Sequence, residues 1–156
     1  MTTPIRHLLV IVVVLGLTAT ACSDSSEATA AVEANETAYI EAFQQKDLDA
    51  LMDTMTEDVL FVDETFGDYI EGNAAVKNMY SYVIEFGDPA ASGVLDRFVS
   101  PDATFAASTW DWMGTNAFGQ PFDLPIALIH EYRDGKIAKE TAYYASPDAY
   151  GQLKGQ

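Results

Sequence analysis

The chain has 156 residues, of which 24 are Asp or Glu and 8 are Lys or Arg, and its formal net charge is −16. Nucleic acids and anionic lipid headgroups are bound through basic patches, so this charge argues against both as partners. The acids are scattered rather than blocked, which is typical of a solvated surface. Aromatic residues make up 12% of the chain and can supply the core of one domain.

The first 22 residues have the pattern of a secretory signal segment. Arg6 gives a positive start, residues 8–17 (LLVIVVVLGL) are apolar, and small residues precede Cys22. The apolar stretch is shorter than the about 20 residues that span a bilayer. We therefore expect the protein to be exported from the cytoplasm.

Cys22 is the only cysteine, which excludes an intramolecular disulfide. The segment LTATAC that ends at Cys22 resembles a bacterial lipobox, in which the cysteine is lipidated and becomes the mature N-terminus. This resemblance implies a lipoprotein anchored in the cell membrane through Cys22 and facing away from the cytoplasm. The ATA sequence at 19–21 also suits ordinary signal peptidase, which would give a secreted soluble protein, and an uncleaved membrane anchor is a third possibility.

The rest of the chain divides into three parts. Residues 23–33 are small and polar, a composition that buries too little apolar surface to fold, so we expect a flexible tether there. Residues 34–147 have the length of one domain. Residues 148–156 form a C-terminal tail.

The first half of this domain is predicted to be mainly helical. Apolar residues at helical spacing begin at Val32, Asp47 is a suitable N-cap for a second helix, and Asn73 for a third. Two β-prone segments separate the second and third helices. The predicted helices span 32–45, 48–55 and 74–86, and the predicted strands span 59–63 and 69–71.

In the second half the apolar period changes to two, which indicates long strands. Trp110 and Trp112 share one face of their strand, and Asp134-Gly135 is a hairpin signal. Helices followed by an antiparallel meander give an α+β fold. The predicted strands span 93–99, 104–114, 122–132 and 137–144.

Five short segments follow one another in a recognisable order: KDLDAL at 46–51, EDVLF at 57–61, YIEGNAAV at 69–76, GT at 114–115 and YRDGKI at 132–137. Together they resemble the SnoaL-like branch of the nuclear transport factor 2-like superfamily over about residues 32–145. The resemblance implies a cone-like curved antiparallel sheet wrapped around three N-terminal helices, with a pocket at its open end. It also implies a homodimer formed through the outer face of the sheet. Members include polyketide cyclases, ketosteroid isomerases, dehydratases and non-catalytic binding domains, so the fold does not fix the function.

Comparison with the ketosteroid isomerase branch implies two catalytic candidates. Asp63 lies nine residues before Gly72, in the place of the proton-shuttling Asp. Tyr39 lies eight residues before Asp47, in the place of the Tyr that stabilises the enolate. That branch's second oxyanion donor falls at residues 127–128, which are Ala and Leu and cannot donate. The acid that ends the last strand of many SnoaL-like cyclases is also missing, because Ala145 occupies its position.

Each candidate also has a purely structural interpretation. A carboxylate in an apolar pocket suits proton transfer, yet Asp63 could instead cap the loop that follows it. Tyr39 could point at a ligand or belong to the core. His130 is the only histidine after the signal segment and could pair with Asp63, or be a core or surface histidine with satisfied hydrogen bonds.

Four aromatic side chains are expected to form the pocket wall, namely Trp110, Trp112, Phe122 and Tyr143. One of the two tryptophans could instead be packed in the hydrophobic core. The sequence has no metal signature and no cofactor motif, so we expect neither a metal nor a cofactor.

Two functions of different classes fit these features. One is a non-catalytic domain that binds a small apolar molecule or a partner chain in the cone pocket. The other is a cofactor-free isomerase, cyclase or dehydratase in which Asp63 carries the proton and Tyr39 or His130 assists. The missing acid at Ala145 and the missing donor at 127–128 favour the binding domain.

Overall fold

A curved, open sheet of six strands encloses the helices on its concave side, as the computed structural model shows for residues 11–144 and 149–154. Side chains are described for residues 25–144, 149 and 151–153. The helices are α1 (Ile11–Gln45), α2 (Leu48–Asp53), α3 (Asn73–Phe86) and α4 (Ala149–Lys154). The strands are β1 (Met55–Asp63), β2 (Asp68–Glu71), β3 (Gly93–Val99), β4 (Phe105–Thr115), β5 (Pro121–Arg133) and β6 (Lys136–Tyr144). The α+β cone expected from the sequence is confirmed.

The strands are arranged in the order β2-β1-β6-β5-β4-β3. All neighbours are antiparallel except β1 and β6, which run parallel. The predicted hairpin between β5 and β6 is present, with Asp134 at φ 54° and Gly135 at φ 74°. These left-handed conformations are those of the tight hairpin turn that Asp-Gly favours. Strands β4 and β5 pair without interruption from Phe105–Glu131 to Thr115–Pro121, which gives the sheet a long continuous wall.

Helix α1 begins well before the predicted residue 32. Residues 23–33, which composition assigns to a flexible tether, are helical, and Val32 is only 2% exposed. Ala and Glu, frequent in this segment, are good helix formers. The segment itself has too little apolar surface to fold alone. It is helical because it continues a helix whose later residues are packed against the domain. No helix in the described part of the chain combines the length and apolarity needed to cross a bilayer.

The helix caps agree with the sequence in one case and differ in another. The Asp47 side chain accepts a hydrogen bond from Ala50 N at 3.0 Å and caps α2 as predicted. The prediction that Asn73 caps the third helix is wrong, because Gly72 occupies that position at φ 90°. The Asn73 amide instead donates to Met52 O at 3.1 Å and ties α3 to the end of α2.

Two further elements differ from the sequence prediction. Strand β1 begins at Met55, which was predicted to end the second helix, and its pairing with β6 is irregular between Met55 and Leu60. The expected C-terminal tail contains the short helix α4, whose Ala149 is buried and whose Leu153 packs against the core.

A close contact between α3 and β4 depends on two glycines. Gly87, just after α3, forms a bridge with Gly114 of β4. A Cβ atom on Gly114 would lie 2.3 Å from Phe86 O and 2.7 Å from Gly87 Cα, closer than real Cβ contacts allow. The absence of side chains at these positions therefore lets the helix end rest directly on the concave sheet face.

Candidate functional site

Two adjoining cavities occupy the concave side of the sheet. The inner chamber has a volume of about 60 Å³ and the outer chamber about 640 Å³. Exposed side chains such as Tyr82 and Phe118 border the outer chamber, which places it at the open end of the cone. Both chambers share a wall formed by Phe61, Met79, Val83, Trp112 and Tyr144. The inner chamber is completed by Tyr39, Phe43, Tyr80, Trp110, Ile126, Leu128, Glu140 and Ala142.

Three of the four aromatic residues predicted to form the pocket wall do so. Trp110 lines the inner chamber and packs edge-on against Phe43, with ring centroids 5.6 Å apart. Trp112 borders both chambers, and its ring lies 4.7 Å from that of Phe122, which lines the outer chamber. Both tryptophans therefore belong to the core and to the pocket wall together.

The fourth residue, Tyr143, lies outside the pocket. It is 43% exposed and pairs with Ala127 on the outer face of the sheet. Successive side chains of a strand point to opposite faces, so the inward set on β6 is Glu140, Ala142 and Tyr144. The neighbouring Tyr144 thus takes the place that the sequence analysis gave to Tyr143.

Behind the inner chamber, a buried histidine joins two buried carboxylates. His130 on β5 has its Nδ1 2.5 Å from Oε1 of Glu36 on α1 and its Nε2 3.5 Å from Oε2 of Glu140 on β6. All three side chains are about 1–2% exposed. Tyr132 also donates its hydroxyl to Glu36 Oε1 at 2.8 Å. This chain of charges ties α1 to the two central strands.

The charge states in this network follow from burial and pairing. Burial alone lowers the pKa of His130, but contact with Glu140 and Glu36 outweighs it and raises that pKa to about 10. Burial raises the pKa of Glu36, yet the hydrogen bond and charge of His130 together with Tyr132 hold that pKa below its usual value. The imidazole is therefore protonated at neutral pH and Glu36 is ionised.

Two tyrosines connect this network to the inner chamber. The Tyr80 hydroxyl donates to Glu140 Oε1 at 2.5 Å, and the Tyr39 hydroxyl lies 2.6 Å from that of Tyr80. Each phenol has one proton, so Tyr39 donates to Tyr80 while Tyr80 donates to Glu140. Burial, and then the charge of Glu140, raises the pKa of both hydroxyls well above the usual value. The predicted enolate donor, Tyr39, thus has its proton engaged within the protein.

Asp63 lies at the end of β1 and is 5% exposed. Its Oδ1 accepts hydrogen bonds from Thr65 N and Phe66 N, both at 2.9 Å. Asp63 therefore caps the following loop, which is one of the two roles considered for it from the sequence. It also lines the outer chamber. Burial raises its pKa despite the two backbone donors.

The three predicted catalytic residues do not face one cavity. Asp63 lines the outer chamber, Tyr39 lines the inner chamber, and His130 lines neither. No group of three or more His, Cys, Asp or Glu side chains in the described part of the chain is placed to hold a metal ion. Cys22 lies in α1 with its side chain outside the described set, and Ala145 lies outside the described residues.

Sequence reasoning missed three polar members of this site. Glu36 is an acid on the apolar stripe of α1, which is a visible signal for a buried partner. Glu140 occupies an inward position of β6 between Ile137 and Ala142, and Tyr80 lies on the inner face of α3. Nothing in their spacing shows that these three residues meet around His130 and Tyr39.

Comparison with known families and structures agrees with this architecture. The family model described as SnoaL-like domain matches residues 37–140, and the chain belongs to this family. Solved structures with a similar fold include one described as an NTF-2 like protein and one described as having a ketosteroid isomerase-like fold. No match to a curated protein was found.

Among similar solved structures is a candidate polyketide cyclase of Xanthomonas campestris pv. campestris, with 23% identity, a TM-score of 0.68, and coverage of 81% of this chain and 98% of that one. Another is a candidate polyketide cyclase of Silicibacter sp., with 26% identity, a TM-score of 0.65 and coverage of 78% and 94%. A third is a protein of Catenulispora acidiphila with a ketosteroid isomerase-like fold, in complex with trimethylamine, with 16% identity, a TM-score of 0.64 and coverage of 77% and 92%. These likenesses describe the fold.

Proposed function

We propose that the protein binds a small, largely apolar molecule in the two chambers of the cone and does so without chemical conversion. The observation that carries this proposal is the inner chamber, whose wall is mostly aromatic and aliphatic. Ligand sites are typically concave, apolar and equipped with a few placed polar groups. Glu140, Tyr39 and Tyr80 supply those polar groups at the inner chamber.

Hydrogen bonding in the site supports binding over catalysis. Tyr39 and Tyr80 direct their protons along the chain to Glu140 and present no free donor for a developing oxyanion. His130 contacts Glu36 and Glu140 and lines neither chamber. An acid–base pair of His130 with Asp63 would need both groups at one reacting atom.

A thermal-shift screen with hydrophobic ring compounds tests this proposal. We expect at least one compound to raise Tm in a concentration-dependent way, since a ligand that binds only the folded state stabilises it. Ala142→Leu adds volume inside the inner chamber and should abolish the shift, whereas Ala127→Leu on the outer sheet face should keep it. No shift with any compound would leave only a protein partner for this domain.

A second candidate function is favoured by one observation, the buried carboxyl of Asp63 at the wall of the outer chamber. Its raised pKa suits a general acid or base. Under this candidate the protein is a cofactor-free isomerase, cyclase or dehydratase, as the names of some structural neighbours suggest for those proteins. Once a turnover is found, Asp63→Asn should lower its rate by at least 100-fold, and a variant with the full rate would eliminate Asp63 as the proton carrier.

We further propose that the domain is exported and anchored in the cell membrane by lipid on Cys22. The basic start, the short apolar stretch and the lipobox-like segment that ends at Cys22 support this placement. Mass spectrometry of the mature N-terminus should find a diacylglycerol-modified Cys22. A free N-terminus at or near Cys22 would indicate ordinary secretion instead.

We also propose a homodimer formed through the outer face of the sheet. This face exposes large apolar side chains, among them Phe98 (54% exposed) and Phe105 (41%), whose ring centroids are 6.2 Å apart. Exposed apolar patches mark interaction surfaces. Light scattering should give twice the monomer mass, and Phe105→Glu should return the mass to that of one chain.

A further inference from the structure

The charged side chains that border the two chambers all have the same sign. Glu140 lines the inner chamber, and Asp63 and Asp68 line the outer one. Lys, Arg and His are absent from the described residues that line either chamber. Among the described residues, the charged groups that a ligand meets between the open end and the inner end are all carboxylates, within a protein whose formal net charge is −16. Such a field concentrates cations and repels anions.

At the inner end, the buried charges are unequal in number. Two carboxylates, Glu36 and Glu140, share the single imidazolium of His130. Glu36 has the shorter contact, 2.5 Å, and a further hydrogen bond from Tyr132. Glu140 Oε1 accepts from Tyr80 at 2.5 Å and lies 3.4 Å from the Tyr39 hydroxyl, but its Oε2 is 3.5 Å from the imidazole and has no hydrogen bond within the described residues. Glu140 thus has the longer contact with the imidazolium and one oxygen without a hydrogen bond, and it is the carboxylate that lines the chamber.

An unbalanced buried carboxylate is energetically unfavourable, and a cation beside it restores the balance. Besides this carboxylate, the inner chamber presents aromatic rings, including Phe43, Trp110 and Trp112. The faces of aromatic rings attract organic cations, and Trp does so most strongly. Hard metal ions need six or more oxygen ligands, and the described side chains of the inner chamber supply one carboxylate and three phenols. The chemistry of the wall therefore fits an organic ammonium.

We infer that the ligand of this pocket is an amine: its ammonium group occupies the inner chamber beside Glu140, and its apolar part extends past Trp112 into the outer chamber. This inference rests on the proposed binding function and adds the chemical class of the ligand. The chamber volumes, about 60 Å³ and about 640 Å³, determine which part of the ligand each chamber can hold. The inner space has the size of roughly two water molecules, enough for a primary or small methylated ammonium and too little for a ring.

A pair of compounds of the same shape tests the inference in the full-length domain. Cyclohexylmethylamine is cationic at pH 7, whereas cyclohexylmethanol is neutral and nearly isosteric. The only two tryptophans of the chain both line the inner chamber, so their fluorescence reports binding directly. We expect the amine to bind at least 10-fold more tightly than the alcohol. Because this comparison uses the wild-type protein, it does not depend on the folding of a variant.

The Glu140→Gln variant tests whether Glu140 is the group that binds the ammonium. This variant should weaken amine binding at least 10-fold and leave alcohol binding within about 2-fold. Asp68→Asn removes the same charge from an exposed side chain and should change amine binding by less than about 2-fold at 0.15 M salt, where exposed charges are screened.

Each contrary result has a distinct meaning. Equal binding of amine and alcohol would overturn the inference and leave the proposed binding function standing. Binding of neither compound, nor of any other ring compound, would contradict the proposed function as well. Amine selectivity that survives in a folded Glu140→Gln variant would overturn the assignment of Glu140.

Discussion

Replacing His130 with Gln should destabilise the protein strongly and in a pH-dependent way. Gln keeps most of the side-chain volume and a hydrogen-bond donor but removes the positive charge between Glu36 and Glu140. Removing one partner from a buried ion pair costs about 3–5 kcal/mol, because a charge is left buried without compensation. Since a protein of this size has a total stability of about 5–15 kcal/mol, the loss is easily measured.

The pKa of His130 gives an independent magnitude and the sign of the pH dependence. One pH unit of pKa change corresponds to about 1.4 kcal/mol, so a rise from 6.5 to about 10 links protonation to roughly 5 kcal/mol. The folded state holds the proton more tightly than the unfolded state. The stabilisation is therefore fully present below pH about 6.5 and is lost as pH rises toward 10.

Guanidinium unfolding between pH 6.5 and 9 provides the assay. This window lies above the range in which Glu36, with its lowered pKa, takes up a proton, and below the range in which Tyr39, Tyr80 and Tyr132 ionise. In wild type, His130 should lower the free energy of unfolding by about 1.4 kcal/mol per pH unit. The His130→Gln curve should lack this contribution.

An exposed ion pair supplies the control. Arg133 contacts Asp58, and both side chains are more than half exposed, so Arg133→Gln should cost less than about 1 kcal/mol. A loss below about 1 kcal/mol in His130→Gln, or a pH slope equal to that of wild type, would refute a charged imidazole between two carboxylates.

Three further stability predictions follow from local geometry. Gly114→Ala should lower the free energy of unfolding by about 1–3 kcal/mol through overpacking, as measured by urea unfolding. Gly93→Ala is the control, because nothing lies within 4 Å of its Cβ position, and it should be nearly neutral in the same assay. Asp47→Ala should cost about 1 kcal/mol in chemical denaturation, because the cap of α2 is lost; an unchanged midpoint would contradict that cap. Tyr80→Phe should lower stability by about 1–3 kcal/mol in thermal unfolding, since Glu140 loses its nearer hydroxyl donor; equal stability would indicate that Tyr39, whose hydroxyl lies 3.4 Å from the same oxygen, takes over the hydrogen bond.

The fold was predictable because its signals are local. The period-two pattern of β4 and β5 gave the inward face that carries Trp110 and Trp112, and Asp134-Gly135 fixed one hairpin. The start of α1 was not predictable from composition, because its support comes from residues further along the helix. The Asn73 error has a similar origin: its side chain bonds to Met52 across a helix–helix contact that local sequence does not reveal.

The site was less predictable, since its polar groups come from four separate elements. His130 was singled out from the sequence as a possible core histidine, but its partners lie 94 residues away on α1 and on the next strand. Tyr143 was misplaced by one position because the inward alternation of β6 was not followed from Glu140 to Tyr144. A long-range cluster of this kind becomes visible only when the sheet register is known.

Intrinsic fluorescence is the most direct measurement of whether the cone pocket binds a ligand, because the chain has only two tryptophans and both line the inner chamber. Titration with a compound that raises Tm should change the tryptophan emission saturably, with the same Kd as the thermal shift. The Ala142→Leu variant should show no such change. A compound that stabilises the protein while leaving the emission unchanged would bind elsewhere and would contradict the pocket as the functional site.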